Sequence, residues 1–432
     1  MRTPKRWAKR PVRLVLLLAA MTVAALPAAS HVTAQTTPTD GLVCTTSATG
    51  QFDLTTKTGN ILLPDGNRSF MWGYSAGTND FQHPSPVLCV DQGDTVTVVL
   101  NNTLDVPVSI MFPGQDDVMA DGAPSQPEFS GTGELTSLTK PAAPGGGTVS
   151  YSFVANNPGT FLYQSGTDPA IQVRMGLFGA LVVRPSQGAQ FGNHRADSEF
   201  NPDEEVMVLL SEIDPYLNEA VQRGTAYDLA DYQPRYWLIN GRGFPDSIAA
   251  NNASWLPNQP YGAMAVVHPV DPDNPLDKPG IGRYLNVGTT AFPFHPHGNN
   301  GIAIARDGKV LEGTGGEDLS FERFSINLGP GQTWDVLFRW FDAEGYDEVL
   351  NEVSVNIPDP QNLFYGEFYS GSPYLGTQGT IPVGAPNANA CGEYYIISHN
   401  HALFQITSWG VPMTGPITYL RIDPPLPNDC GN

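Results

Sequence analysis

Basic residues are scarce in this chain, with 22 Lys and Arg against 43 Asp and Glu. Six of the 22 (Arg2, Lys5, Arg6, Lys9, Arg10 and Arg13) crowd the first 13 positions, leaving 16 beyond them and a net charge of −27 there. Nucleic acid and anionic membrane both demand a basic face, so neither is an expected partner. Cysteine is limited to Cys44, Cys89, Cys391 and Cys430, none in a CxxC pair or beside a histidine. That weakens a cysteine metal site and points to structural bridges. Three pairings are open, and Cys44–Cys89 with Cys391–Cys430 is the local choice. There is no G-x-S-x-G, no H-E-x-x-H and no phosphate-binding glycine loop, so hydrolytic chemistry has little support. No long 3.6-residue periodicity is present either, which argues against a helical fold.

The basic start is followed by an apolar run, Leu14 to Ala29, and then by small residues up to Val32-Thr33-Ala34. This is the pattern of a secretory signal peptide over residues 1–34, cleaved near Ala34. Without adjacent arginines a general secretory route is expected. No second apolar stretch of near membrane-spanning length follows, so no stable membrane span is expected and the protein is read as secreted or periplasmic. Its acidity then reads as solubility outside the cytoplasm.

Glycine and proline together make up 84 of 432 residues, suited to many turns between short strands. Alternation is plain at Val96, Val98 and Leu100 and again at Val149, Tyr151 and Phe153. Continuous apolar runs at 179–183 and 205–210 read as interior strands. The expected fold is all-β, of sandwich type.

A weak duplication organises the chain. GDTVTVVLNNT at Gly93, VSIMFPG at 108–114, PGTFLYQSG at 158–166 and MGLFGALVVRP at 175–185 have counterparts in the second half. Those are GRYLNVGTT at Gly282, FPFHPHG at 292–298, CGEYYIISHNH at 391–401 and GPITYLRIDPP at 415–425. Two domains are expected, 40–187 and 200–427, with a polar boundary near Ser186 to Pro202. An acidic, Gly-, Pro- and Asn-rich insertion fills 341–390 of the second, and a loop of that length is usually functional or mobile.

Histidine is also sparse, at eight, yet four of the eight fall in two His-x-His pairs: His295 with His297, and His399 with His401. Alternate residues of a strand share a face, so each pair presents two imidazoles side by side. Two such strands meeting would bring four nitrogens within reach of one or two metal ions. Imidazole suits copper, zinc, iron and nickel alike. His83, His194 and His268 stand alone and are read as core or surface residues. Glu393, Asp307 and Ser398 lie near the pairs in sequence and are candidates to orient the imidazoles.

These segments resemble the multicopper oxidases. The family's C-terminal H-P-x-H-x-H-G corresponds to Phe292-Pro293-Phe294-His295-Pro296-His297-Gly298. Its H-C-H-x-x-x-H corresponds to His399-Asn400-His401-Ala402-Leu403-Phe404-Gln405. The resemblance implies two cupredoxin-like Greek-key β-sandwich domains, with His295 as a type 2 copper ligand and His297, His399 and His401 as type 3 ligands. It also implies that the blue type 1 centre is lost, since Phe292, Asn400 and Gln405 stand where two histidines and a cysteine are required. In the first domain, H-W-H-G reads Met111-Phe112-Pro113-Gly114 and Y-H-S-H reads Tyr163-Gln164-Ser165-Gly166, so all four ligands of that half-set are missing. A homo-oligomer is allowed but repeats the same blank domain.

Two readings of function stay open. In one, the chain binds one or two copper ions (zinc being the other candidate) at the four histidines and acts as a copper-dependent oxidoreductase on a small-molecule reductant. In the other it is a degenerate, non-catalytic binding or structural protein, partnering an intact oxidase.

Overall fold

A computed structural model describes residues 40–271, 274, 276–297, 300–340, 355–356, 386–387 and 394–423. The expected leader (1–34), the Cys391–Cys430 pairing, Glu393 and all of the 341–390 insertion except 355–356 and 386–387 lie outside the described residues.

The first half supplies β1 (Gln51–Leu62), β2 (Arg68–Ala76), β3 (Leu88–Asp91), β4 (Thr95–Asn102), β5 (Gly147–Val154), β6 (Gly159–Gln164) and β7 (Phe178–Arg184). They form two sheets, ordered β2-β1-β4-β5 (extended by a short hairpin, 119–124) and β6-β7-β3. The second half supplies β8 (Glu205–Ile213), β9 (Tyr236–Ile239), β10 (Ala265–Val267), β11 (Gly280–Asn286), β12 (Phe292–Pro296), β13 (Gly301–Arg306), β14 (Ile326–Leu328), β15 (Thr333–Phe338), β16 (Tyr394–Asn400) and β17 (Ile417–Ile422). These form the sheets β9-β8-β11-β15-β13 and β10-β17-β16-β12-β14.

The duplication seen in sequence is repeated in the pairing. β1 runs parallel to β4 and β8 parallel to β11, each with an antiparallel strand on its outer side. β7 runs parallel to β3 and β17 parallel to β10, while β6 and β16 lie antiparallel to β7 and β17. β6 and β16 are therefore equivalent strands.

The two sequence patterns have different structural causes. β4 and β5 alternate because one face packs on Phe52, Leu54, Tyr163 and Leu181 and the other meets solvent. β8 is buried along its whole length. Leu162, Phe178, Ala180 and Val182 of the first sandwich share a core with Met207, Leu209 and Leu285 of the second, so β7 and β8 are covered on both faces. The disulfide joins Cys44 to Cys89 on β3, the expected local pair.

Buried charge also crosses this junction. Glu205 receives two hydrogen bonds from Arg184, at 2.6 and 2.7 Å, and another from Arg283. Arg283, 1% exposed, also donates to Thr160 at 3.0 Å and to Asp335 at 3.2 Å. Thr160 in turn donates to Asp335. Burial pushes the Glu205 carboxyl up, but Arg283 and Arg184 outweigh it and its pKa is lowered. At Asp335 burial wins over Arg283, and the pKa is raised.

Candidate metal centre

β12 and β16 pair antiparallel with His295 directly opposite His399. The ladder continues past both strand ends, His297 N–H donating to the Ile397 carbonyl at 3.2 Å and His401 N–H to the Pro293 carbonyl at 2.6 Å. Phe292 and Phe294 point into the sandwich core, so the strand period of two sends all four imidazoles to the other face of the sheet. Their ring centroids are 4.5 Å apart for His295–His297, 5.0 Å for His297–His399, 5.2 Å for His295–His401, and 5.8 Å for both His295–His399 and His399–His401. His401 is exposed and the other three are half-buried.

The nitrogens are partly committed. His295 Nδ1 donates to the Phe324 carbonyl, and His399 Nδ1 donates to the Asn400 carbonyl at 2.8 Å. In the neutral ring each Nε2 then keeps its lone pair. His297 Nε2 and His399 Nε2 are 3.0 Å apart, close to the roughly 3.3 Å that separates two imidazole ligands on one tetrahedral ion. Burial, and then the neighbouring imidazoles with His399 first, pull His297 down to about 4. Burial also lowers His399, against the opposing pull of the Asn400 carbonyl. Both rings are thus neutral near pH 7, the form that binds metal.

Among the described residues no three His, Cys, Asp or Glu side chains are already arranged to hold a metal ion. The four rings pack against one another rather than around a common point. The fit to a metal is therefore one of donor chemistry and proximity, completed by side-chain rotation.

The described candidates for orienting these rings do not touch them. Asp307 accepts from Thr333 N–H at 3.0 Å. Ser398 is buried and alternates to the other face from His399. Two backbone carbonyls, of Phe324 and Asn400, take that role, and the Phe324 ring lies edge-on to His295 at 5.4 Å. A carbonyl leaves no trace in side-chain identity, so no sequence signal marks it.

Phe292, Asn400 and Gln405, which the resemblance sets at type 1 positions, are fully buried. Asn400 donates its side-chain amide to Gln405, which donates to the Thr290 hydroxyl at 2.9 Å. In the first half, Met111 bridges to Gln164 through paired backbone hydrogen bonds of 2.7 and 3.1 Å, as His295 does to His399. A Cβ on Gly166 would meet the Met111 side chain at 2.7 Å. Positions 111, 164 and 166 thus repeat the placement of 295, 399 and 401 with no ligand among them. The solitary histidines lie elsewhere. His83 is buried with both ring nitrogens unpartnered, while His194 pairs with Glu312 and His268 with Glu204.

Paired antiparallel-rich sandwiches with parallel edge pairings define a cupredoxin-like protein. Residues 60–188 match the family model described as multicopper oxidase. The chain is 32% identical over 200 residues to the L-ascorbate oxidase of Cucurbita maxima, a stretch covering 45% of this chain and 30% of that protein. A solved multicopper oxidase superposes with a TM-score of 0.56 at 18% identity, covering 86% of each chain. The blue copper oxidase of Nitrosomonas europaea gives 0.56 at 17% identity, covering 87% of this chain and 85% of its own. Residues 60–188 thus carry a multicopper oxidase domain, and the chain is similar to the multicopper oxidases in sequence and in fold. The matched stretch spans only about a third of the curated ascorbate oxidase.

Proposed function

We propose that this chain is an exported copper protein that holds the metal through His295, His297, His399 and His401 and acts as an oxidoreductase without a blue centre. The observation that carries this is the packing of four imidazoles on one sheet face, with His297 Nε2 and His399 Nε2 3.0 Å apart. Bound copper supplies one-electron redox chemistry. The chain's own residues set the conditions for it. The Phe324 and Asn400 carbonyls hold His295 and His399 in the tautomer whose Nε2 carries the lone pair. Exposed His401 leaves one side of the group open to a small reductant. The Cys44–Cys89 disulfide supports export, since such bonds persist in oxidising compartments.

A second reading, a non-catalytic relative, draws on the ligand-free positions 111, 164 and 166, which leave the chain with half of the family's cluster. Copper content after reconstitution and dialysis tests the site. Near-stoichiometric copper on the natural chain, lost in His297→Ala/His399→Ala with the fold intact by circular dichroism, is expected. Unchanged metal in the double variant overturns the assignment. Oxygen consumption with a phenolic reductant then separates the two readings.

A further inference from the structure

Without a type 1 site, electrons from a reductant need another entrance, and one surface cluster has the chemistry for it. Trp409 is 48% exposed and sits at φ 51°, in the left-handed region that bulky L residues avoid. Its surroundings hold it there. Its N–H donates to the Arg235 carbonyl at 3.1 Å, and its indole Nε1–H donates to the Tyr236 hydroxyl at 2.7 Å. The rings of Tyr216 and Tyr236 meet it edge-on at 6.1 and 6.4 Å. The buried Tyr236 donates its own hydroxyl hydrogen bond to Asp65 Oδ2 at 2.8 Å. Asp65 is oriented by Asn67, which donates to it at 3.0 and 2.8 Å.

We propose that Trp409, Tyr236 and Asp65 form a proton-coupled electron-entry site for small, electron-rich one-electron donors. When an oxidant withdraws an electron from the Trp409–Tyr236 pair, the Tyr236 O–H bond breaks. Its proton moves to Asp65 Oδ2, leaving a neutral tyrosyl radical beside a carboxylic acid. The donor then returns one electron to Tyr236 and is itself oxidised by one electron, while the proton returns from Asp65. The Arg235 guanidinium, 5.1 Å over the indole and paired with no carboxylate among the described residues, disfavours a cation on Trp409. The oxidised state therefore settles on Tyr236. The next residue, Trp237, is buried, and its indole packs edge-on against Phe404 at 5.6 Å. Phe404 is the third residue after His401 in the chain. Only a last link, in which the histidine-held metal is the oxidant, rests on the copper reading.

The relay is tested on the metal-free full-length chain by flash photolysis, with a ruthenium tris-bipyridine complex and an electron-accepting quencher as the oxidant source. A long-lived tyrosyl radical with a solvent deuterium isotope effect is expected. The chain has 16 tyrosines, so the signal scored is the part lost in Tyr236→Phe. Trp409→Phe is expected to slow its appearance by about tenfold, and Asp65→Asn to remove the isotope effect while the tyrosine remains. Arg235→Gln shifts the radical towards indole. A radical yield unchanged in Tyr236→Phe, or an isotope effect unchanged in Asp65→Asn, overturns the proposal. Asp65 is exposed, so its conservative variant keeps the test available even if the Tyr236 variant fails to fold. Metal-free protein also separates this outcome from the fate of the copper site.

Discussion

Arg283→Met probes the charge network that ties the two sandwiches. The guanidinium is buried and donates to Glu205, Asp335 and Thr160. Methionine fills much of the volume but removes the positive charge. Glu205 keeps Arg184, whereas Asp335, 2% exposed, keeps only the Thr160 hydroxyl among these partners. Breaking a buried pair from one side costs about 3–5 kcal/mol, because the remaining charge stays buried and uncompensated. The pH dependence is distinctive. Asp335 already binds its proton more tightly folded than unfolded, so its ionisation opposes folding, and losing Arg283 raises its pKa further. Glu205 behaves oppositely, stabilising the fold above its unfolded pKa and losing that contribution as pH falls through its lowered folded value. Acidification therefore relieves the variant at Asp335 and penalises the natural chain at Glu205. Urea denaturation should show the full deficit near pH 7 and a smaller one near pH 5, at unchanged m-value. A loss below about 1 kcal/mol, or a deficit independent of pH, would refute the network's role.

Three further outcomes are expected. Phe292→His/Asn400→Cys/Gln405→His should create a His2Cys set that gives an intense thiolate–copper absorption band with Cu(II), while the lost amide bonds cost the metal-free variant about 1–3 kcal/mol; no such band would mean the buried amide pair has closed that cradle. His83 is pulled down to about 3 by burial, so the natural chain should lose about 1.4 kcal/mol per pH unit below about 6.5 as the unfolded state takes up the proton. His83→Leu should flatten that slope in urea midpoints, and an identical slope would contradict the assignment. Gly308→Ala places a methyl 2.0 Å from Phe161 at a residue with φ 66°, and its thermal midpoint should reflect about 1–3 kcal/mol of destabilisation.

What the sequence by itself determined were features of short range. Strand alternation in β4 and β5 and the same-face placement of each His-x-His pair follow from identities a few positions apart, because the strand period of two is local. The duplication carried this further, since Met111 and Gln164 meet as His295 and His399 do. Tertiary structure decided the rest. Whether an apolar run is covered on one face or two depends on what packs over it, and β8 is enclosed only because the first sandwich lies against it. The groups that orient His295 and His399 are carbonyls, identical at every residue. Tyr236 meets Asp65 across 171 positions and Trp409 across 173. Arg283 reaches Thr160 across 123. Hydrogen bonds over such separations are set by which strands the fold brings side by side, and no local pattern in a single chain encodes that pairing.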